Sequence, residues 1–297
     1  HPLTGFARII GDEKTARSLR TRIGLIMTQN RVSGRGEKKG FTLGAMTHMV
    51  FSNRQYAGEL MRDKLVTLCQ SFQSGGTIPS SSGPVAVGNA CTVLKKWDLH
   101  ENAHSHGAIL FRRFIDHLAS STQSTAYNFS GLTPYWTTAF NAKNPVRTPN
   151  GLNTGDPEVA TALGDAISDL DAAHLPLGIA VAKAQGIHRH GHFIPIQGGE
   201  GDPNGEFDAI YAPWRSGKGL GDVDDGSSFV QVVTWRSGQR CPVARTILTY
   251  SESSDPTNPH FDDQTRMFSK KRWVHDAFCA AAIRHDSTGH SRHLSGH

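Results

Sequence analysis

Residues 227–251 read SSFVQVVTWRSGQRCPVARTILTYS, two runs rich in valine, isoleucine, threonine and aromatic side chains on either side of Ser237-Gly238-Gln239. Branched and aromatic side chains fit a pleated sheet, and a short glycine-containing break between two such runs is what a hairpin needs. Val230, Val232 and Thr234 alternate with Gln231, Val233 and Trp235. Both sets are largely apolar, which predicts a strand covered on both faces, with Trp235 in the core.

Upstream, HFIPIQGG (192–199) and FDAIYAPW (207–214) have the same character, and GG, DPNG and DDG supply the turns between them. Before residue 185 the period changes. In TARSLRTRIGLIM (15–27) Leu19, Ile23 and Ile26 recur at helical spacing, with Asp12-Glu13 placed to favour a helix N-terminus. Thr42 can cap a second helix, predicted to run unbroken through MTHMVFSNRQYAGELMRDKLVTLC (46–69). Ser/Gly-rich SGGTIPSSSGP interrupts the chain before CTVLKKWD, and helical patterns resume in GAILFRRFIDHLAS and in PEVATALGDAISDLDAA, where Asp156-Pro157 reads as cap and first turn. The expectation is an α+β chain: a mainly helical part over 1–184, antiparallel strands over 185–284, and a polar, histidine-rich tail over 285–297. No βαβ repeat and no Gly-rich nucleotide fingerprint is present.

The chain has 297 residues and a formal charge of +5, from 31 basic and 26 acidic side chains. That excess is diffuse, and the longest basic run is Lys270-Lys271-Arg272, so nucleic acid is not an expected partner. No apolar run reaches the length of a membrane helix, and no membrane partner is expected. The four cysteines, Cys69, Cys91, Cys241 and Cys279, have neither CxxC nor zinc-finger spacing. Cys69 ends one helical stretch and Cys91 begins another, so a disulfide between them is attractive in an exported protein. Four buried thiols are the alternative in a reducing compartment.

Several histidines invite a metal. His1 could chelate copper through its amino nitrogen and ring, which makes a copper-dependent oxidoreductase one rival reading. His188, His190 and His192 alternate as ligands on a strand would, but Gly191 places a hairpin turn among them. His100, His104 and His106 lie in a predicted loop, and His285, His290, His293 and His297 in the tail. No GxSxG frame or other serine nucleophile is recognisable. On residues alone, a non-catalytic β-rich binding module is the other rival.

Two stretches carry a resemblance. GFARIIGDEKTARSLRTR (5–22) resembles the segment that follows the catalytic asparagine in the large subunit of acyl-homoserine-lactone acylases, within the penicillin acylase family of N-terminal nucleophile hydrolases. SSFVQVVTWRSGQRCPVARTILTYSESSDPTNPHFDDQTRMFSKKRW (227–273) is similar to the C-terminal part of that subunit, with its serine-rich strand start, P-V-A return strand and TYSQSTDP-like turn. FSNRQYAGELMRDKLVTLC, ACTVLKKWD and IPIQGGEGDPNGEFDAI follow the family's course between them.

The resemblance implies part of an αββα sandwich and the C-terminal half of a large (β) subunit. It implies an amidohydrolase that removes the acyl chain from N-acyl-homoserine lactones, with lipopeptides and penicillins as further amide substrates. The nucleophilic serine and the oxyanion-hole asparagine would lie outside this chain, in the other chains of a processed precursor. A periplasmic or secreted location follows, no organic cofactor or catalytic metal is implied, and the structural calcium of some relatives finds no obvious carboxylate set here. Arg17 is the match to the family arginine that orients groups around the oxyanion hole, with Arg20 as the alternative. Read without the resemblance, Arg17, Arg20 and Arg22 are surface or salt-bridge residues.

Overall fold

The computed structural model describes residues 4–10, 13–36, 38–120, 129–202, 204–238 and 240–286. The fold is mixed α+β, with helices concentrated early and strands late. It divides into two compact units, His1–Lys39 with Val50–Gly226, and Gly40–Met49 with Ser227–His297.

In the first unit α1 (Leu19–Ser33) starts at Ser18, whose hydroxyl accepts the Thr21 N–H, and stops at Gly34 in a left-handed conformation. Its buried stripe is Leu19, Ile23 and Met27, so Met27 takes the place expected for Ile26. The single helix expected over 46–69 is two: α2 (Leu43–Val50), most of which belongs to the second unit, and α3 (Tyr56–Ser71). The break has a local cause. Asn53 adopts a positive φ of 51°, and the Gln55 side chain caps α3 by accepting the Gly58 N–H. The freed backbone pairs elsewhere: Gln55 N–H donates to the Leu99 carbonyl, and Glu101 N–H donates to that of Asn53.

A small hairpin, β1 (Thr77–Ile78) and β2 (Val85–Ala86), follows in the Ser/Gly-rich stretch. Then come α4 (Ala90–Lys96) and α5 (Ala108–Ser120), the short pair β3 (Trp136–Thr138) and β4 (Asn150–Leu152), and α6 (Pro157–Ala172). Asp156 caps α6 as expected, accepting the Glu158 N–H. Facing apolar stripes join α5 to α6: Phe111, Phe114, Ile115 and Leu118 on one, Val159, Leu163, Ile167 and Leu170 on the other. Cys69 in the last turn of α3 is disulfide-bonded to Cys91 in the first turn of α4, with Cα atoms 5.5 Å apart. The rest of the unit is α7 (Val181–Ala184), the hairpin β5 (Gly186–Arg189) and β6 (His192–Pro195), and the short strands β7 (Ile210–Tyr211), β8 (Trp214–Arg215), β9 (Gly219–Leu220) and β10 (Asp225–Gly226).

The second unit holds β11 (Phe229–Trp235), β12 (Pro242–Leu248), α8 (Asp263–Ser269), β13 (Val274–Asp276) and α9 (Ala280–His285). The strands form one antiparallel sheet in the order β11-β12-β13, with Phe229 opposite Leu248 and Trp235 opposite Pro242. Val232, Ala244 and Ile247 are its buried apolar residues, Phe268 of α8 is buried too, and a second disulfide, Cys241–Cys279, ties the start of β12 to the segment after β13. The expectation that both faces of β11 are covered is corrected here. Phe229 and Trp235 are 60% and 65% exposed, with Gln231 and Val233 open on the same face. Trp235 is therefore a surface residue, because β11 is an edge strand and that face has no covering layer among the described residues. Likewise, the described sheets contain two or three strands each, and none closes a sandwich.

Candidate functional site

The arginines singled out in the sequence flank the start of α1 in the first unit. Arg17 is half-buried and lies immediately before the capping Ser18. Arg20, the second residue of the helix, donates from Nε and Nη2 to the Phe207 carbonyl at 3.1 and 3.0 Å. Its backbone N–H reaches Asp202, and its guanidinium lies 5.9 Å from the centre of the Phe207 ring. Arg22 is fully buried. It donates to the carbonyls of Val146 and Pro149 at 2.8 and 2.9 Å, and stands over the Tyr56 ring. Tyr56 and Phe51 are both core residues. A guanidinium's planar fork suits such double attachment, so Arg20 and Arg22 fix α1 to two distant segments.

Glycines make the closest approaches possible. A Cβ on Gly205, which has φ +79°, would stand 2.6 Å from that of Leu19, and one on Gly201 would stand 2.9 Å from Arg20 Cδ. Only glycine fits there. Behind this junction lies a group of acids that sequence reasoning missed. Glu206, Asp208, Ala209 and Ile210 are all buried, while Phe207 among them is 37% exposed. Glu101 is buried beside Gly199, where an added Cβ would stand 2.5 Å from the carboxyl carbon. The buried Arg112 of α5 supplies the nearby positive charge. Its Nη1 lies 3.5 Å from Glu101 Oε2 and donates to Gln185 at 2.7 Å. Gln185 in turn donates to the Ile196 and Gly198 carbonyls, holding the glycine-rich segment in place.

Four carboxyls around Arg112, those of Glu101, Asp116, Glu200 and Glu206, cannot all stay ionised. Burial, partly offset by Arg112, pushes Glu101 up to about 7. Burial and the nearby Asp116 push the partly covered Glu200 up to about 8. Glu206 is raised well above the usual carboxylate range by burial, then by Glu101 and Asp208. Desolvation lowers Arg112, but the surrounding carboxylates outweigh it and raise its pKa. At neutral pH the group is thus a store of bound protons. It is not a calcium cage: among the described residues no three histidine, cysteine, aspartate or glutamate side chains are arranged to hold a metal ion.

The histidines expected in loops serve local structure. His188 Nδ1 pairs with Asp222 at 2.6 Å, and the turn between β5 and β6 passes through His190 and Gly191, both with positive φ. His100 Nδ1 contacts the Asp98 carbonyl, and His106 Nδ1 that of Gly178. His1, His290, His293 and His297 lie outside the described residues. No described helix is long and apolar enough to cross a membrane.

Comparison with known proteins gives this arrangement its context. The family model for penicillin amidase matches residues 8–285. The chain is 37% identical to Aculeacin-A acylase of Actinoplanes utahensis, over 96% of its own length and 34% of the relative's. It is 32% identical to the acyl-homoserine lactone acylase PvdQ of Pseudomonas syringae pv. syringae, over the same two shares. A PvdQ of Pseudomonas fluorescens (strain Pf0-1) is 29% identical, again over 34% of its length. The chain therefore spans about a third of these relatives. A family match over nearly all of the described residues, with acylases as its relatives, places this chain in the penicillin amidase family.

Proposed function

We propose that this chain is part of the large subunit of an N-acyl amidohydrolase, which removes the fatty acyl group from N-acyl-homoserine lactones. Lipopeptides and penicillins are further substrates with the same kind of amide bond. The observation that carries the reading is the match of 96% of the chain to a third of two acylases. In this reading the other chains of a processed precursor supply an N-terminal serine and an oxyanion-hole asparagine, and this chain contributes part of an αββα sandwich. The serine hydroxyl attacks the amide carbonyl while its own α-amino group, with an ordinary pKa near 8, takes the proton. Backbone donors and the asparagine amide stabilise the oxyanion, the amine leaves, and water releases the fatty acid. The location is periplasmic or secreted, where both disulfides are stable.

Arg17 is the residue of this chain assigned to the reaction. Its place just before α1, on an element that Arg20 and Arg22 fix at two points, suits a group that must hold others in position. The test uses the complete encoded protein, matured, with N-acyl-homoserine lactones of graded chain length. Release of free fatty acid supports the reading, and opening of the lactone ring without it refutes the acylase assignment. In fully processed protein of normal thermal stability, Arg17→Ala should lower kcat and kcat/KM together, with little rescue by Arg17→Lys. Wild-type turnover would move the role to Arg20.

A further inference from the structure

The first N–H groups of a helix have no partner within it, and its dipole is positive at that end, so a helix start is stabilised by negative charge. α1 brings none of its own. Its first turn is Leu19-Arg20-Thr21-Arg22, with two arginines and no acid. Glu13, the nearest acid before it, accepts the Gly5 N–H instead. The carboxylate at this helix start is that of Asp202, 182 residues from Arg20. Asp202 Oδ1 accepts the Arg20 N–H at 3.4 Å, while Ser18 Oγ takes that of Thr21 at 3.1 Å. Two consecutive orphan donors therefore have separate acceptors. Burial raises the pKa of Asp202, and the Arg20 N–H, the Ser18 side chain and the Arg20 guanidinium each draw it back down.

The loop that presents Asp202 is itself held. Gly201 N–H donates to the Tyr211 hydroxyl at 3.2 Å, and Gly205 N–H to the Gly201 carbonyl at 2.9 Å. Ala57 N–H, in the first turn of α3, donates to the Asn204 carbonyl at 3.0 Å. Further along the same segment, the Phe207 carbonyl takes both bonds from the Arg20 side chain. One anchored loop grips Arg20 by its backbone and by its side chain.

We propose that Asp202 is a positioning residue for Arg17: as a second cap of α1, supplied from a distant loop, it fixes how the chain enters the helix and so where the Arg17 guanidinium points. This role rests on the assignment of Arg17 to the reaction. Arg17 stands directly before the capping Ser18, so fraying of the first turn would carry it along. In catalysis a misplacement of about 1 Å can cost about a hundredfold in rate.

The test is a mutant cycle in the complete, matured protein, with an N-acyl-homoserine lactone as substrate. Asp202→Ala should lower kcat about tenfold or more and change KM less than about twofold. Asp202→Asn, which keeps an acceptor for the Arg20 N–H, should restore most of that turnover. Asp202→Ser, whose hydroxyl is too short to take that N–H, repeats the measurement if Asp202→Ala fails to mature. With Arg17→Ala already present, Asp202→Ala should cost less than about a further twofold, because the group it positions is gone. Residue-resolved amide exchange reads the cap without turnover: the Arg20 N–H should exchange about tenfold faster in Asp202→Ala, and the Thr21 N–H, which Ser18 holds, should not. Wild-type kcat in Asp202→Ala, an effect on KM alone, unchanged exchange at Arg20, or losses from Asp202→Ala and Arg17→Ala that multiply would each overturn the proposal. Low kcat in Arg17→Ala beside wild-type kcat in Asp202→Ala removes only the role of Asp202. Wild-type turnover in Arg17→Ala removes Arg17 from the reaction and the role of Asp202 with it. Absence of fatty-acid release by the wild type removes the acylase, and the exchange response then marks Asp202 as a cap alone.

Discussion

Stability should fall as pH rises through neutrality, and Glu206→Gln should weaken that dependence. A carboxyl whose pKa is higher folded than unfolded keeps its proton in the native state after the unfolded chain has lost it. Its stabilising effect is therefore complete at acid pH and disappears as pH climbs through the folded value. For Glu101 the window runs from its ordinary 4.5 to about 7. At ~1.4 kcal/mol per pH unit, Glu101 alone makes the protein about 2 kcal/mol less stable at pH 8.5 than at pH 5.5. Glu200, at about 8, acts in the same direction. Glutamine at 206 removes a carboxyl whose own pKa is raised well above the usual range by burial, so its share of the loss disappears and the fall in stability over that window should become shallower. Urea denaturation of wild type and variant at pH 5.5, 7 and 8.5, followed by tryptophan fluorescence, measures both. Wild-type stability that stays level or increases from pH 5.5 to 8.5 would refute the proton store, and so would an equal slope in the variant.

Removing Arg112 should be more severe. Arg112→Met leaves Glu101 and its neighbours without their buried cation and should cost about 3 kcal/mol at pH 7, less at pH 5.5, read from the same denaturation curves. Gly199→Ala drives a methyl group into the Glu101 carboxyl and should destabilise by about 1–3 kcal/mol, whereas Gly44→Ala in α2, where nothing lies within 4 Å, should not; melting temperatures compare the two. Breaking the Cys69–Cys91 bridge by Cys91→Ser opens a loop closed over 22 residues and should cost about 3 kcal/mol on the chain-entropy account; non-reducing peptide mapping of the wild type must first show the crosslink.

What the sequence revealed was periodic. α5, α6 and the β11–β12 hairpin repeat their apolar residues at the spacing of the structure they form, and Asp156-Pro157 marks a helix start by local chemistry alone. The helix expected across 46–69 was misread because its break depends on partners at Leu99 and Glu101, far along the chain. Trp235 was misplaced because an apolar alternating strand reads the same whether its second face meets the protein's own core or a partner. The carboxyl group escaped notice for a related reason. Glu206 and Asp208 look like loop acids, and only burial around Arg112, nearly a hundred residues earlier, gives them a different character. One signal was present: Asp208 stands inside FDAIYAPW, a stretch that otherwise reads as an apolar strand. For Arg17 the residues gave no such signal, since an arginine before a helix has the same spacing whatever it orients.

The attachment of Arg20 to the Phe207 carbonyl spans 187 residues. During synthesis at roughly 5–20 residues per second, α1 waits about 10–40 s after its own emergence before that carbonyl leaves the ribosome. Arg22 receives the carbonyls of Val146 and Pro149 earlier, after 124 and 127 residues. Over that interval α1 has only its earlier partners, including Tyr56 against Arg22 and Ser52 against Met27, which follow within 34 residues. Its full attachment is thus completed well after its own synthesis, when the glycine-rich stretch, made much later, arrives to close over it.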